Sequence, residues 1–240
     1  MTTIPQPAPT WKPFYRVAAL AALLIVATGL TDSIVSMSAG ETTVNSAVTV
    51  TEWFALLAAH PFAALGNLGL FNLITLTLGI PVYIALVHAH RETDPAFAAL
   101  AAVSFFIGAA VYFASSTIFP MLSLSSQYAA ASAADKPLLE AAGRALLASG
   151  VDLSAGTFLG FLFSQTAGVI MGIVLIRGKL FGRVTGWLGL IGFSVMLVFF
   201  FMSAFTPEKF NTAMLISAPA GLLLMAYQVL LAVNFFKSAK

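Results

Sequence analysis

The 240-residue chain is 60% hydrophobic and 8% charged, against about 25% charged residues in a soluble domain, which excludes an ordinary water-soluble globule. It contains no cysteine, so disulfides, thiolate metal sites and cysteine nucleophiles are ruled out. The formal net charge of +2 gives no case for a nucleic-acid partner, because the cations stand at the ends of apolar runs rather than along one aromatic-laced face.

Residues 1–14, with Pro5, Pro7 and Pro9, read as an irregular cytoplasmic tail, and 15–237 as a single transmembrane domain. The expected fold class is all-α: a polytopic membrane protein of six transmembrane helices, with two short amphipathic helices in the outer loops. A helix rises about 1.5 Å per residue, so crossing about 30 Å of hydrocarbon takes roughly 20 mostly apolar residues. The first such run is 17–37. Lys12 and Arg16 precede it and Ser36-Met37-Ser38 closes it, a signal-peptide pattern, but the length favours an uncleaved helix. Asp32 sits about 22 Å up this run when measured from Val17. A carboxylate within the bilayer is a functional candidate, and the plainer reading is an interfacial Asp at the outer end of a tilted helix.

The connection 38–64 follows. Thr49 and Glu52 are spaced for a capping box, with Pro61 as a stop, so a short helix is expected between them. The second run is 65–87 and the third 97–119. In the connection 120–152, Asp135 precedes Lys136-Pro137, a helix start. Leu138, Leu139, Ala142 and Leu146 then share one helical face, and Gly150 reads as the stop. The remaining runs are 153–176, 184–205 and 213–236. Pro81 and Pro219 lie inside runs, where each removes a backbone hydrogen bond and crowds a carbonyl four residues back. The expected result is a kink, static or hinging.

Charge sets the orientation. With six crossings and both termini cytoplasmic, eight cations (Lys12, Arg16, Arg91, Arg177, Lys179, Arg183, Lys237, Lys240) fall inside and three (Lys136, Arg144, Lys209) outside, as the positive-inside rule requires. Only Glu92 and Asp94 of the nine acids fall inside. The expected location is the inner (plasma) membrane.

Tyr112-Phe113-Ala114-Ser115-Ser116, the stretch Met121 through Ala131, and Leu138-Leu139-Glu140-Ala141-Ala142-Gly143 with Ala145-Leu146-Leu147-Ala148 resemble a group of bacterial membrane proteins, the domain of unknown function 4386 family. Gly178 through Gly192 is similar to that family's cytoplasmic loop and next span, and Asn72-Leu73-Ile74 with Ile80 through Leu86 is also similar. Asp135-Lys136-Pro137 and 149–152 depart from the family wording. The resemblance implies a bacterial six-span protein and carries no activity.

Chemistry-bearing residues are few. Asp152, at the start of the fourth run, reads first as an N-cap. Were it to converge with Asp32, the pair would make a cation or proton site at the outer mouth. Asn67, Asn72, Gln165 and Gln228 lie in or near spans, where amides bond across helices for about 0.6–2 kcal/mol each; a polar cavity is the alternative. Gly156-x-x-x-Gly160, Gly168-x-x-x-Gly172 and Gly182-x-x-x-Gly186 permit close helix approach, within one protomer first and in a homo-oligomer second. His88 and His90 are two residues apart, face different ways on a helix, and stand beside Arg91, where solvated roles are expected. No catalytic residues, metal site or cofactor (none of either) are read from the chain, and no hydrolase, phosphate-loop or dinucleotide motif is present. The first functional reading is a non-enzymatic bundle that binds a lipid or small apolar molecule, with membrane lipids as partners and no nucleic acid. A small transporter or channel, with Asp32 and the amides lining its path, is the alternative, and a membrane enzyme comes third.

Overall fold

A computed structural model describes residues 9–38, 49–151 and 153–240. Ten α-helices are found among them: α1 Lys12–Ser38, α2 Val50–Ala59, α3 Pro61–Asn67, α4 Leu70–His90, α5 Pro95–Ser115, α6 Ile118–Ala130, α7 Lys136–Gly150, α8 Phe158–Gly178, α9 Arg183–Phe205 and α10 Phe210–Ser238. Six stretches are long and apolar enough to cross a membrane: Lys12–Val35 in α1, Leu70–His90, Pro95–Ala130 (α5 running into α6), Phe158–Gly178, Arg183–Phe205 and Phe210–Ser238. In lipid an unpaired backbone group costs several kcal/mol, so runs of this composition close their hydrogen bonds within one helix.

The long helices form a ring in chain order. α1 packs on α4, α4 on α5, α5 on α8, α8 on α9, α9 on α10, and α10 returns to α1. Two of these seams are close because they lack side chains. A Cβ on Gly108 would come within 2.7 Å of the Gly160 carbonyl oxygen and of the Ser164 nitrogen, across α5 and α8. A Cβ on Gly172 would come within 2.7 Å of the Leu190 nitrogen, and one on Gly186 within 2.8 Å of the Ile176 nitrogen, across α8 and α9. Thus Gly160, Gly168, Gly172 and Gly186 all serve contacts within one protomer, whereas Gly156 lies before α8, against Ser149. Inside the ring, Phe161 stacks on Phe200 with centroids 4.0 Å apart and Tyr83 on Phe105 at 4.1 Å.

The span ends differ from the expected ones. α1 begins at Lys12, five residues before Val17, which puts Asp32 about 30 Å up the helix rather than 22 Å. α4 begins at Leu70, not Leu65, because Gly69 adopts φ 99° and ends the preceding α3 segment; only glycine takes that conformation without strain. α5 stops at Ser115, where Ser116 turns extended. α8 starts at Phe158 with Thr157 at its N-cap, so its start is six residues beyond Asp152. Asp152 itself lies outside the described residues. Pro81 and Pro219 are inside α4 and α10, as expected.

The two long connections and the residues flanking them hold four short helices, α2, α3, α6 and α7, where two were expected. Thr49 and Glu52 do form a capping box: the Thr49 hydroxyl accepts from the Glu52 N–H at 3.3 Å and the Glu52 carboxylate accepts from the Thr49 N–H. The Thr49 N–H, and the Thr49 hydroxyl that donates to the same carboxylate at 2.9 Å, hold the Glu52 carboxyl below its ordinary pKa. The stop expected at Pro61 holds: α2 ends at Ala59, His60 before the proline leaves the helical region, and Pro61 then opens a second short helix, α3, from a first-turn position that suits it.

Candidate functional site

The four short helices pack into a cap over one end of the ring, α2 against α3, α6 and α7, and α6 against α7. The cap has its own apolar core, centred on Val50, Trp53, Phe54, Leu57, Ile118 and Met121. Polar bonds lock it. Ser125 donates to the Phe54 carbonyl at 3.0 Å, and Thr117 to the Gly150 carbonyl at 3.2 Å, both buried. Gly143 lies where a Cβ would reach within 2.6 Å of Val50 Cγ1 and 2.9 Å of Phe54 Cζ. Gly150 is not a left-handed helix stop. It is the last residue of α7, and a Cβ there would overlap the Ser115 carbonyl oxygen.

α7 therefore has two apolar sectors. Leu139, Gly143, Leu147 and Gly150 turn inward, Leu138 is 74% exposed and Ala142 is also exposed, and the half-buried Leu146 stands at the border of the two. The outward sector faces α6 across a shallow, open groove of about 590 Å³. Its floor is apolar, with Pro120 and Leu124 from α6 and Ala142, Ala145 and Leu146 from α7. Ser123, Gln127 and Ser149 supply polar edges, and the Gln127 amide donates to the Ser123 hydroxyl at 3.1 Å. The hairpin that sets the groove's width is tied by Tyr128, whose hydroxyl donates to Glu140 at 2.8 Å while Lys136 lies 5.0 Å from its ring centroid. Only Ala142 and Leu146 of this lining were on the face expected to be amphipathic. The helical spacing of Ser123 with Gln127, and of Ala142 with Ala145 and Ser149, puts each set on one face of its helix and is the signal that would have found the rest.

The residues expected to form a site from sequence are not gathered in one place. Asp32 is partly buried near the end of α1 and has neither a cation nor a hydrogen-bond partner among the described residues. Asn67 ends α3 with its side-chain nitrogen buried and unpaired, while Asn72, in the first turn of α4, is engaged. Gln165 on α8 and Gln228 on α10 each bury an unpaired amide oxygen, and α9 stands between their helices.

His90 overturns the solvated reading. His90 is 0% exposed, with Nδ1 3.0 Å from the Leu86 carbonyl and its ring edge-on to Phe181. Gly178 leaves room for that ring, since a Cβ there would come within 2.9 Å of His90 Cδ2. His88 is half-buried beside Arg91, as expected, with its ring stacked 3.6 Å from that of Trp11, its Nδ1 2.9 Å from the Tyr15 hydroxyl and Arg91 at its other nitrogen. Among the described residues no cluster of three His, Asp or Glu has the arrangement to hold a metal ion.

Comparison with known families matches residues 17–233 to the Domain of unknown function (DUF4386). No curated protein and no solved structure matches the chain. With nearly the whole length matched, and with six helices of spanning length in a closed ring, this protein is a multi-pass membrane protein belonging to the DUF4386 family.

Proposed function

We propose that the protein binds an amphiphile, a lipid or similar molecule with an alkyl chain, in the α6–α7 groove, and that it does so without catalysing a reaction there. The observation that carries this reading is the groove's make-up: an apolar floor open along its length, with Ser123, Gln127 and Ser149 at its edges to meet a polar head. Apolar sites with a few placed polar groups are what recognise amphiphilic ligands. A transport role has less support, since Gln165 and Gln228 stand on helices kept apart by α9.

Ala145→Trp is the direct test. Ala145 is exposed in the groove, so the indole fills the space without disturbing the cap core. Native mass spectrometry of gently extracted protein is expected to show a retained amphiphile on the parent and none on the variant, at equal thermal stability. A parent that carries no adduct, or a variant that keeps it, would sink the proposal.

We further infer that Lys12 and Lys240 face the cytoplasm across a plasma membrane, from the bias of eight cations to that side. The cysteine-free chain makes this simple to check. In intact cells, an impermeant maleimide is expected to label Ser132→Cys, in the turn between α6 and α7, and to leave Lys240→Cys unlabelled; the reverse pattern would invert the assignment.

A further inference from the structure

We propose that the loop joining α8 to α9, at the end of the ring opposite the cap, binds the phosphate of an anionic phospholipid. This site is separate from the groove and independent of it. The loop is short and pinned from inside. Leu180 and Phe181 are 8% and 3% exposed, and the Phe181 ring packs edge-on against His90 and Phe235. The Phe181 carbonyl accepts twice, from the Thr185 hydroxyl at 2.8 Å and from the Asn234 amide at 3.2 Å. With its centre held in the bundle, the loop turns its flanking cations outward. Lys179 takes φ 57° at the end of α8, Arg183 opens α9, and both are exposed. Lys237, also exposed, lies one turn beyond Asn234 on α10.

None of these three cations has an acidic partner among the described residues. The two acids at this end are taken, Glu92 by Arg91 at 3.5 Å and Asp94 by Arg177 at 3.6 Å. Uncompensated positive charge thus stands where the bilayer headgroups lie. Immediately beside it, α9 shows an apolar stripe to the lipid: Val184 is 66% exposed, Trp187 52% and Ile191 47%. Trp at this level is an interfacial anchor. A cation pair with an exposed apolar stripe running away from it matches a molecule that is anionic at one end and hydrocarbon at the other. That combination favours a lipid over free phosphate, which has no use for the stripe. Lys and Arg near an anionic leaflet each strengthen its binding severalfold.

The test uses the full chain in nanodiscs, with spin-labelled phosphatidylglycerol or phosphatidylcholine as the probe and tryptophan quenching as the readout. Phosphatidylglycerol is expected to bind about tenfold better than phosphatidylcholine, and Lys179→Gln with Arg183→Gln to remove that preference. Lys179→Arg with Arg183→Lys is expected to keep it. Should the glutamine variant not fold, the parent protein answers through salt: about 1 M KCl, where the screening length is about 3 Å, is expected to abolish the preference. Equal binding of the two lipids, or a preference that survives both the substitutions and the salt, would overturn the proposal. So would displacement by inorganic phosphate beyond that caused by KCl at matched ionic strength, which would make the ligand free phosphate instead.

Discussion

Replacing Gly172 with valine is expected to lower the thermal midpoint of the detergent-solubilised protein by roughly 6–12 °C, the equivalent of about 3 kcal/mol for a chain of this size. The reason is what a Cβ would meet. The nearest atoms are the backbone nitrogen and Cα of Leu190, at 2.7 and 3.0 Å, and the Gly186 carbonyl oxygen at 3.1 Å. None is the end of a side chain that can swing away, so α8 and α9 must part along their seam. Helix association inside a bilayer depends on such close packing, because lipid tails are as apolar as the helices and supply no hydrophobic drive. Gly221→Ala is the matched control. It lies in α10 with nothing within 4 Å of an added Cβ, and alanine is the better helix former by about 1 kcal/mol, so its midpoint should hold or rise. Equal midpoints for Gly172→Val and the parent would show that the seam is not the close contact described.

Phe54→Ala is expected to loosen the cap and spare the ring. Phe54 is 2% exposed, contacts the Tyr128 ring at 4.9 Å between centroids, and lies over Gly143. Removing a buried phenyl costs about 3–5 kcal/mol in transfer and cavity terms. The cap has its own apolar core and meets the ring through a limited set of contacts, so the loss should appear as local opening rather than global unfolding. Hydrogen exchange should rise across α2, α6 and α7 and stay unchanged in α5, α8 and α9. Uniform exchange gain through all helices would mean that cap and ring form one cooperative unit.

The two parts of the molecule differed in how far the chain announced them. The Thr49–Glu52 box was legible because its donors and acceptors lie within four residues. Gly150 was legible as a helix end and misread as to cause: its missing side chain answers to Ser115, thirty-five residues earlier, and no local pattern carries that. The same holds for His90. Beside Arg91 it reads as solvated, yet Phe181, from a loop some ninety residues later, closes over it. Among the site candidates, Asp32, Asn67, Asn72, Gln165 and Gln228 stand out as polar groups in apolar surroundings; the groove is lined instead by residues such as Ala142, Ala145 and Ser149, whose types signal nothing alone.

By itself the sequence determined the number of spanning helices, the all-helical class, the membrane setting and the family. The first three follow from runs of about 20 residues, because hydrocarbon obliges every such run to satisfy its own backbone; the family is carried by residue motifs such as Tyr112 through Ser116 and Gly178 through Gly192. The ring order, the cap, the groove and the pinned cationic loop were decided only by tertiary structure. They depend on which small residues of distant helices meet face to face: the spacing of Gly168 and Gly172 marks a helix face fit for close approach, and nothing local names the helix that will fill it.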